Sequence, residues 1–468
     1  MAPGGCLSPG CPAGPGDRRK PASRPALPGS GPSCVFHCTC LHCRGCNRGT
    51  RESGGGSLPV TSHTADEAAR RSDPGRETSI AVPSAYADGY ARARARDPAF
   101  VDAYIRHTHI GDPLADPVAA ELASLPSKQV HALLARVLQD PYDLPEETPE
   151  SLRHFIDEVS KVPDWFDEDI ALVASRAFLR NSDLVLAGLV GGSIVEGFAT
   201  LISKSFRIRG RVLGSGVRRL KQNGLQLIEQ YLPGGMSPLG DGWKLTLRVR
   251  LVHAQSRLLI KGSDEWNRER YGLPISAATM MLAGSAFSGR LMEHVATLGG
   301  DFSDEEREAY VHVWRYTGLL MGIPGELIFD DQAAAIKAFQ IGRLCEPPPD
   351  EDAIIMANSI VNSAPLVIGV TDPAARRKLA TFVYRVSRDL IGKELSDSFL
   401  FPRSKRRVVP FLRFQNRTKR LAGRAIPSWR RKTDLERFNA LIDFVNLGRL
   451  EHSYSLPTAL HDELSEEW

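Results

Sequence analysis

Trp243-Lys-Leu-Thr-Leu-Arg-Val-Arg-Leu-Val-His-Ala-Gln-Ser-Arg-Leu-Leu-Ile260 is the stretch on which the fold turns. Read as a helix, it places Arg250, His253 and Arg257 at i, i+3 and i+7, so that two guanidinium groups flank one imidazole. Such a face is a candidate cradle for an anionic cofactor. Leu245, Val249, Val252, Ser256 and Ile260 fall on an adjoining face at helical spacing, which sets His253 at the edge of the buried side. A strand is the rival reading, because Leu245, Leu247, Val249 and Leu251 alternate with Thr246, Arg248 and Arg250. The apolar pattern continues at helical period to Ile260, longer than an ordinary strand, and favours the helix.

The chain of 468 residues is long enough for a sizeable core and for two or three domains. Its 42% hydrophobic and 24% charged residues, with a net charge of +4, are ordinary for a globular protein and point to no function class. Seven of the eight cysteines lie within the first 46 residues and only Cys345 lies beyond, so a disulfide-stapled secreted fold is not expected. Residues 1–35 contain no apolar run resembling a signal sequence, and Pro21-Ala22-Ser23-Arg24-Pro25 follows Arg18-Arg19-Lys20 where a twin-arginine signal would turn apolar. The body therefore reads as cytoplasmic and reduced, with membrane association left open.

Residues 1–60 hold 12 Gly and 9 Pro, a composition that cannot offset the entropy of ordering, so residues 1–78 are expected to be a disordered Gly/Pro/Cys-rich extension. Cys34, Cys38, Cys40, Cys43 and Cys46, with His37 and His42, invite a zinc reading. Their irregular spacing and the lack of a second, separated pair favour a non-structural extension.

From Ser84 onward helices dominate, and no run of alternating strand patterns or internal repeat appears. Asp116 to Gln139 reads as two helices split at Pro126. Thr148 reads as an N-cap with Pro149 in the first turn of the next helix. Helical segments also cover Ile170 to Leu179, Ala277 to Leu298, a helix opened by Asp304-Glu305-Glu306, Glu351 to Ser363 and Ala374 to Ile391. Leu184 to Ile202 is apolar but for Glu196 and just long enough to span a membrane. The cost of an acid in a lone spanning helix, and Gly188, Gly191, Gly192 and Gly197, favour a buried central helix instead. His294 and His312, each alone on a mostly apolar helix, read as ordinary core or surface groups rather than metal ligands. Arg403 to Lys432 carries 12 basic residues and no acidic ones, interleaved with Phe411, Phe414, Ile426 and Trp429. Such a run can meet an anionic membrane or nucleic acid, or simply be solvated, and Pro402, Pro410 and Pro427 argue against one continuous amphipathic helix. Residues 79–400 are thus expected to form the helical body, and 401–468 a basic arm with a last helix.

Arg250-Leu-Val-His253-Ala254-Gln-Ser-Arg257, preceded by Arg218-Arg-Leu-Lys221 and followed by Trp314-Arg-Tyr-Thr-Gly318-Leu-Leu-Met-Gly322, resembles the oxygenase family of MpaB and the latex-clearing rubber oxygenases. The resemblance implies an all-α, multi-helix bundle with a globin-like haem-binding core over residues 79–400. It also implies a haem b cofactor, O2 as co-substrate and a hydrophobic, isoprenoid or other alkene-bearing substrate, with no nucleic-acid partner expected. By position it makes His253 the iron ligand and Arg250 and Arg257 cofactor-binding. Lys221 and Arg218 match the distal pair, and Glu196, the only acid between Asp183 and Glu229, is the candidate base. Gln222 stands where rubber-cleaving members carry threonine, which points away from rubber itself. Two other readings stay open: a haem redox or peroxidase-like protein without oxygenase turnover, and a helical interaction protein that uses the 403–432 arm.

Overall fold

The quoted stretch is helical throughout. In a computed structural model of the protein, which describes residues 80–209, 216–446 and 456, it forms the interior of the helix Asp241–Lys261. Trp243, Leu247, Val249, Leu251, Ala254 and Ile260 are buried along it. Apolar side chains therefore point in more than one direction, because this helix is packed from several sides. It lies against Ala115–Leu122, Gly216–Tyr231 and Asp304–Leu320, and Asp304–Leu320 in turn packs along Glu168–Gly188. No β-strand occurs among the described residues, and those from Glu77 onward belong to one compact unit. The 1–78 extension with its cysteine cluster lies outside the described residues.

Local chemistry accounts for most helix ends. Pro126 separates Ala115–Leu122 from Ser127–Gln139, as expected from its missing N–H. Ser303 and Glu306 form a reciprocal capping box that opens Asp304–Leu320. At Glu150–Val159 the expectation was displaced by one position: Pro149 is the N-cap, and the Thr148 hydroxyl is buried without a hydrogen-bond partner. Pro149 itself has an extended ψ of 149° and so stands just outside the helix, which leaves the threonine one residue short of the capping position.

The two apolar stretches are each interrupted. Glu168–Gly188 continues through a π-helical turn, Leu189–Ser193, into the short helix Ile194–Gly197, and the chain then breaks before Ile202–Ile208. Ala277–Ser285 likewise passes through a π-helical turn, Ala286–Arg290, into Leu291–Leu298. The two π turns touch each other. Leu184 to Ile202 is thus not one central helix. Glycine explains the close crossing: a Cβ on Gly188 would meet Leu291 Cδ1 at 3.0 Å, and one on Gly192 would run into the His294 ring. Glu168–Gly197 is long and apolar enough to cross a membrane, yet 61% of its most apolar window is buried inside the chain.

Among the described residues after 400, two helices pack back on the body. Pro410 sits in the first turn of an uninterrupted helix, Val409–Ala425, where its lack of an N–H costs nothing. Pro427 opens the next helix, Pro427–Asn446. The first of these packs on Leu291–Leu298 and the second on Glu168–Gly188. As the prolines implied, 403–432 is not one continuous helix: it is non-helical through Val408, helical over Val409–Ala425, and restarts at Pro427.

Candidate functional site

Between these helices lies a cavity of about 250 Å³. The His253 helix contributes Val249, Val252, His253 and Ser256, at i, i+3, i+4 and i+7, which is one face. Gly216–Tyr231 contributes Arg218, Arg219, Gln222, Asn223 and Gln226, again one face. Trp314, Thr317 and Gly318 close it from the end of Asp304–Leu320. Ile194, Gly197 and Phe198 enter from beyond the first π turn, and Ala286 and Phe287 from the second. The three separated motifs of the sequence therefore meet at one cavity, through Arg218, His253 and Trp314. The walls are mainly apolar, with Phe287 stacked on Trp314 at 5.7 Å, and Arg209, Arg218 and Arg219 supply positive charge.

His253 is held neutral. Burial, reinforced by the charge of Arg257, pulls its imidazole down to about 3, and its Nδ1 is buried with no hydrogen-bond partner. A neutral imidazole is the form that ligates a metal, and His253 lines the cavity. Among the described residues no cluster of three or more His, Cys, Asp or Glu side chains could hold a bare metal ion, so a metal here would bring its own remaining ligands.

The arginines on the same helix do something other than flank a cofactor. Arg250 and Arg257 are turned aside from the cavity-lining face, and two aspartates meet them there. Arg250 grips Asp112 through two hydrogen bonds of 2.6 and 2.8 Å and donates a third, of 3.1 Å, to the Leu320 carbonyl. Arg257 pairs with Asp116 and donates to the Ile275 carbonyl at 2.7 and 3.0 Å. Asp112 and Arg250 are both buried, at 4% and 6% exposure. Burial pushes the Asp112 carboxyl up, but Arg250 outweighs it and holds the group below its ordinary value. Gly322, at φ 79°, is where the backbone passes this ion pair, and a Cβ there would collide with both partners. Ile275, a cavity residue held at φ 48°, has its carbonyl fixed by Arg257, which restrains a backbone conformation unfavourable for a β-branched residue. The pair thus clamps the 112–116 segment and the cavity wall to the His253 helix. The expected guanidinium–imidazole–guanidinium cradle is replaced by two ion pairs.

Glu196 is also engaged elsewhere. It does not line the cavity, and it is 4% exposed. Arg290 binds it through two hydrogen bonds of 2.7 and 2.9 Å, and His294 Nε2 lies 3.0 Å from it. Burial raises its pKa, but His294 and then Arg290 overcome this and bring it down to about 2, which makes it a weak base. Its geometry is that of a bolt between the two interrupted helices. Lys221 is not among the cavity-lining residues, being rotated off the face that carries Arg218 and Gln222. His294 is accounted for by Glu196, and His312 Nε2 accepts the Asp167 N–H at 3.0 Å and stacks on Phe166. The sequence reading missed Arg209, Arg219 and the Gln222–Gln226 face. The i, i+4 spacing of those two glutamines after Arg218 was the available signal.

Comparison with known proteins identifies the family. The family model described as the catalytic domain of ER-bound oxygenase mpaB/B′ and rubber oxygenase matches residues 165–420, more than half of the chain. A rubber oxygenase of Streptomyces sp. (strain K30) is 26% identical over 305 residues, covering 62% of this chain and 70% of that protein. The solved structure of a latex clearing protein in its closed state superposes with a TM-score of 0.56 at 21% identity, over 76% of this chain and 95% of that one, and so shares the fold. The chain accordingly belongs to the MpaB/rubber oxygenase catalytic-domain family, and is an oxygenase that takes O2 and an oxidisable substrate.

Proposed function

We propose that the protein is a haem b-dependent oxygenase of a hydrophobic, alkene-bearing substrate. The observation that carries this reading is a neutral imidazole, His253, on the wall of a mainly apolar cavity that also carries arginines. These residues fit the group: His253 would ligate the iron, and Arg218 and Arg209 would pair with the propionates through charge-assisted bonds. On this reading the surrounding helices play the part of the globin-like haem-binding core. When bound, haem would supply the O2 chemistry. The chain's own work is to keep His253 deprotonated, to exclude water with Phe198, Phe287, Trp314 and Met321, and to hold an apolar substrate against those walls. Neither Glu196 nor Lys221 lines the cavity, so the geometry gives neither a direct proton-transfer role there.

The test is an absorption spectrum with a pyridine haemochrome assay on protein expressed with haem precursor. A near-stoichiometric b-type signal is expected, with its loss in His253→Ala while the far-ultraviolet circular dichroism and the melting temperature stay those of the haem-free wild type. A colourless, folded wild-type protein would sink the reading, as would full haem occupancy in the variant.

A second variant probes the substrate side. A Cβ on Gly197 meets nothing within 4 Å, and the residue lines the cavity. Gly197→Leu is therefore expected to fold with stability unchanged to within about 1 kcal/mol, while its added bulk lowers kcat/KM by roughly tenfold or more. Unchanged kcat/KM on a bulky apolar substrate would show that the substrate does not use this cavity.

A further inference from the structure

The helix Val409–Ala425 buries one side and leaves a large apolar stripe on the other. Its inner side is anchored: Val409 and Gly423 are buried, Leu412 packs on the core, and Asn416 donates to the Leu298 carbonyl at 3.0 Å. Asp389 accepts the Val408 and Val409 N–H groups at 2.7 and 2.9 Å and fixes the start. Outward point Phe411 at 67% exposure, Phe414 at 67% and Leu421 at 62%, spaced i, i+3 and i+10 along one line of the helix. Ile426 and Trp429 extend the exposed apolar surface past Pro427, at 52% and 38%. A solvated helix face would carry polar residues at these positions.

Exposed Arg413, Arg417 and Lys419 flank the stripe, and the whole stretch from Arg403 to Lys432 carries no acidic residue. We propose that this face is a docking surface for an anionic lipid membrane, with the apolar stripe entering the headgroup–acyl boundary and the flanking cations reaching back to lipid phosphates. Two other occupants fit less well. A nucleic-acid surface would meet the basic groups first, whereas here the outermost line of the helix is Phe411, Phe414 and Leu421. A second copy of the chain would bring an equally basic face against this one, and like charges oppose that pairing. The inference is independent of the cofactor in the cavity.

Co-sedimentation of the full chain with phosphatidylcholine vesicles, with and without phosphatidylserine, tests it. Binding is expected on the anionic vesicles, weaker by roughly tenfold or more on the neutral ones and falling with salt. The triple variant Phe411→Ser, Phe414→Ser, Leu421→Ser is expected to lose roughly tenfold or more of the anionic-vesicle binding at an unchanged melting temperature. Arg413→Glu, Arg417→Glu, Lys419→Glu is expected to abolish the preference for phosphatidylserine. The proposal is overturned by an absence of binding to either vesicle, or by binding that survives both triple variants. It is equally overturned by tighter binding to duplex DNA that ignores the apolar changes, or by self-association that the apolar changes abolish.

Discussion

Asp112→Ala is expected to lower the unfolding free energy by about 3–5 kcal/mol, the cost of stranding a buried guanidinium. Asp112 is the buried partner of Arg250, and the same carboxylate accepts the Leu114 and Ala115 N–H groups, at 3.1 and 3.0 Å, at the start of Ala115–Leu122. Its loss therefore removes an ion pair and a helix cap together. The reciprocal change, Arg250→Ala, leaves a buried carboxylate and is expected to be comparably damaging. Exchanging both partners for apolar residues, Asp112→Leu with Arg250→Met, is expected to recover much of the loss, because the desolvation cost disappears with the charges. Urea denaturation of the single and double variants measures each quantity. A loss below about 1 kcal/mol in Asp112→Ala would show that water reaches Arg250 and that the pair does not clamp the wall.

Glu196 sets the second large effect, and its sign is fixed by linkage. The folded-state pKa of about 2 lies below the ordinary 4.5, so the unfolded chain binds a proton that the folded chain refuses. The resulting stability is fully present above about pH 5 and is lost as the pH falls from 4.5 towards 2; over that span it amounts to roughly 3 kcal/mol. Glu196→Gln is expected to forfeit a contribution of that order at neutral pH and to flatten stability between pH 5 and 3 relative to wild type. The same variant separates a structural from a chemical role. Turnover per folded molecule is expected to remain within a few-fold of wild type, since the carboxylate does not line the cavity. A collapse of kcat by about a hundredfold or more at unchanged stability would instead restore Glu196 as the general base.

Much of the helix content was legible because it depends on local rules. A 3.6-residue apolar period extends through Ile260, Pro126 cannot donate a hydrogen bond, and acidic residues favour a helix start at Asp304. The candidate site was legible at His253 from helical spacing and at Arg218 only through the motif resemblance. The π turns at Leu189–Ser193 and Ala286–Arg290 were not, because each shifts the period by a single residue within a stretch that is apolar on every side. Thr148 turned on a one-residue question of backbone geometry that composition does not resolve.

The sequence by itself determined that the chain is mainly helical, that His253 lies at the edge of the face carrying Val249, Val252 and Ser256, and which oxygenase family the ordered motifs resemble. Only the tertiary structure decided what the neighbouring charges do. Arg250 and Arg257 meet carboxylates 138 and 141 residues away in the chain, and Glu196 meets Arg290 and His294 at separations of 94 and 98. A charged side chain on a helix edge has the same local pattern whether it faces a cofactor, water or a distant partner. The choice is made by desolvation and pairing at long range, which operate only once the helices have packed.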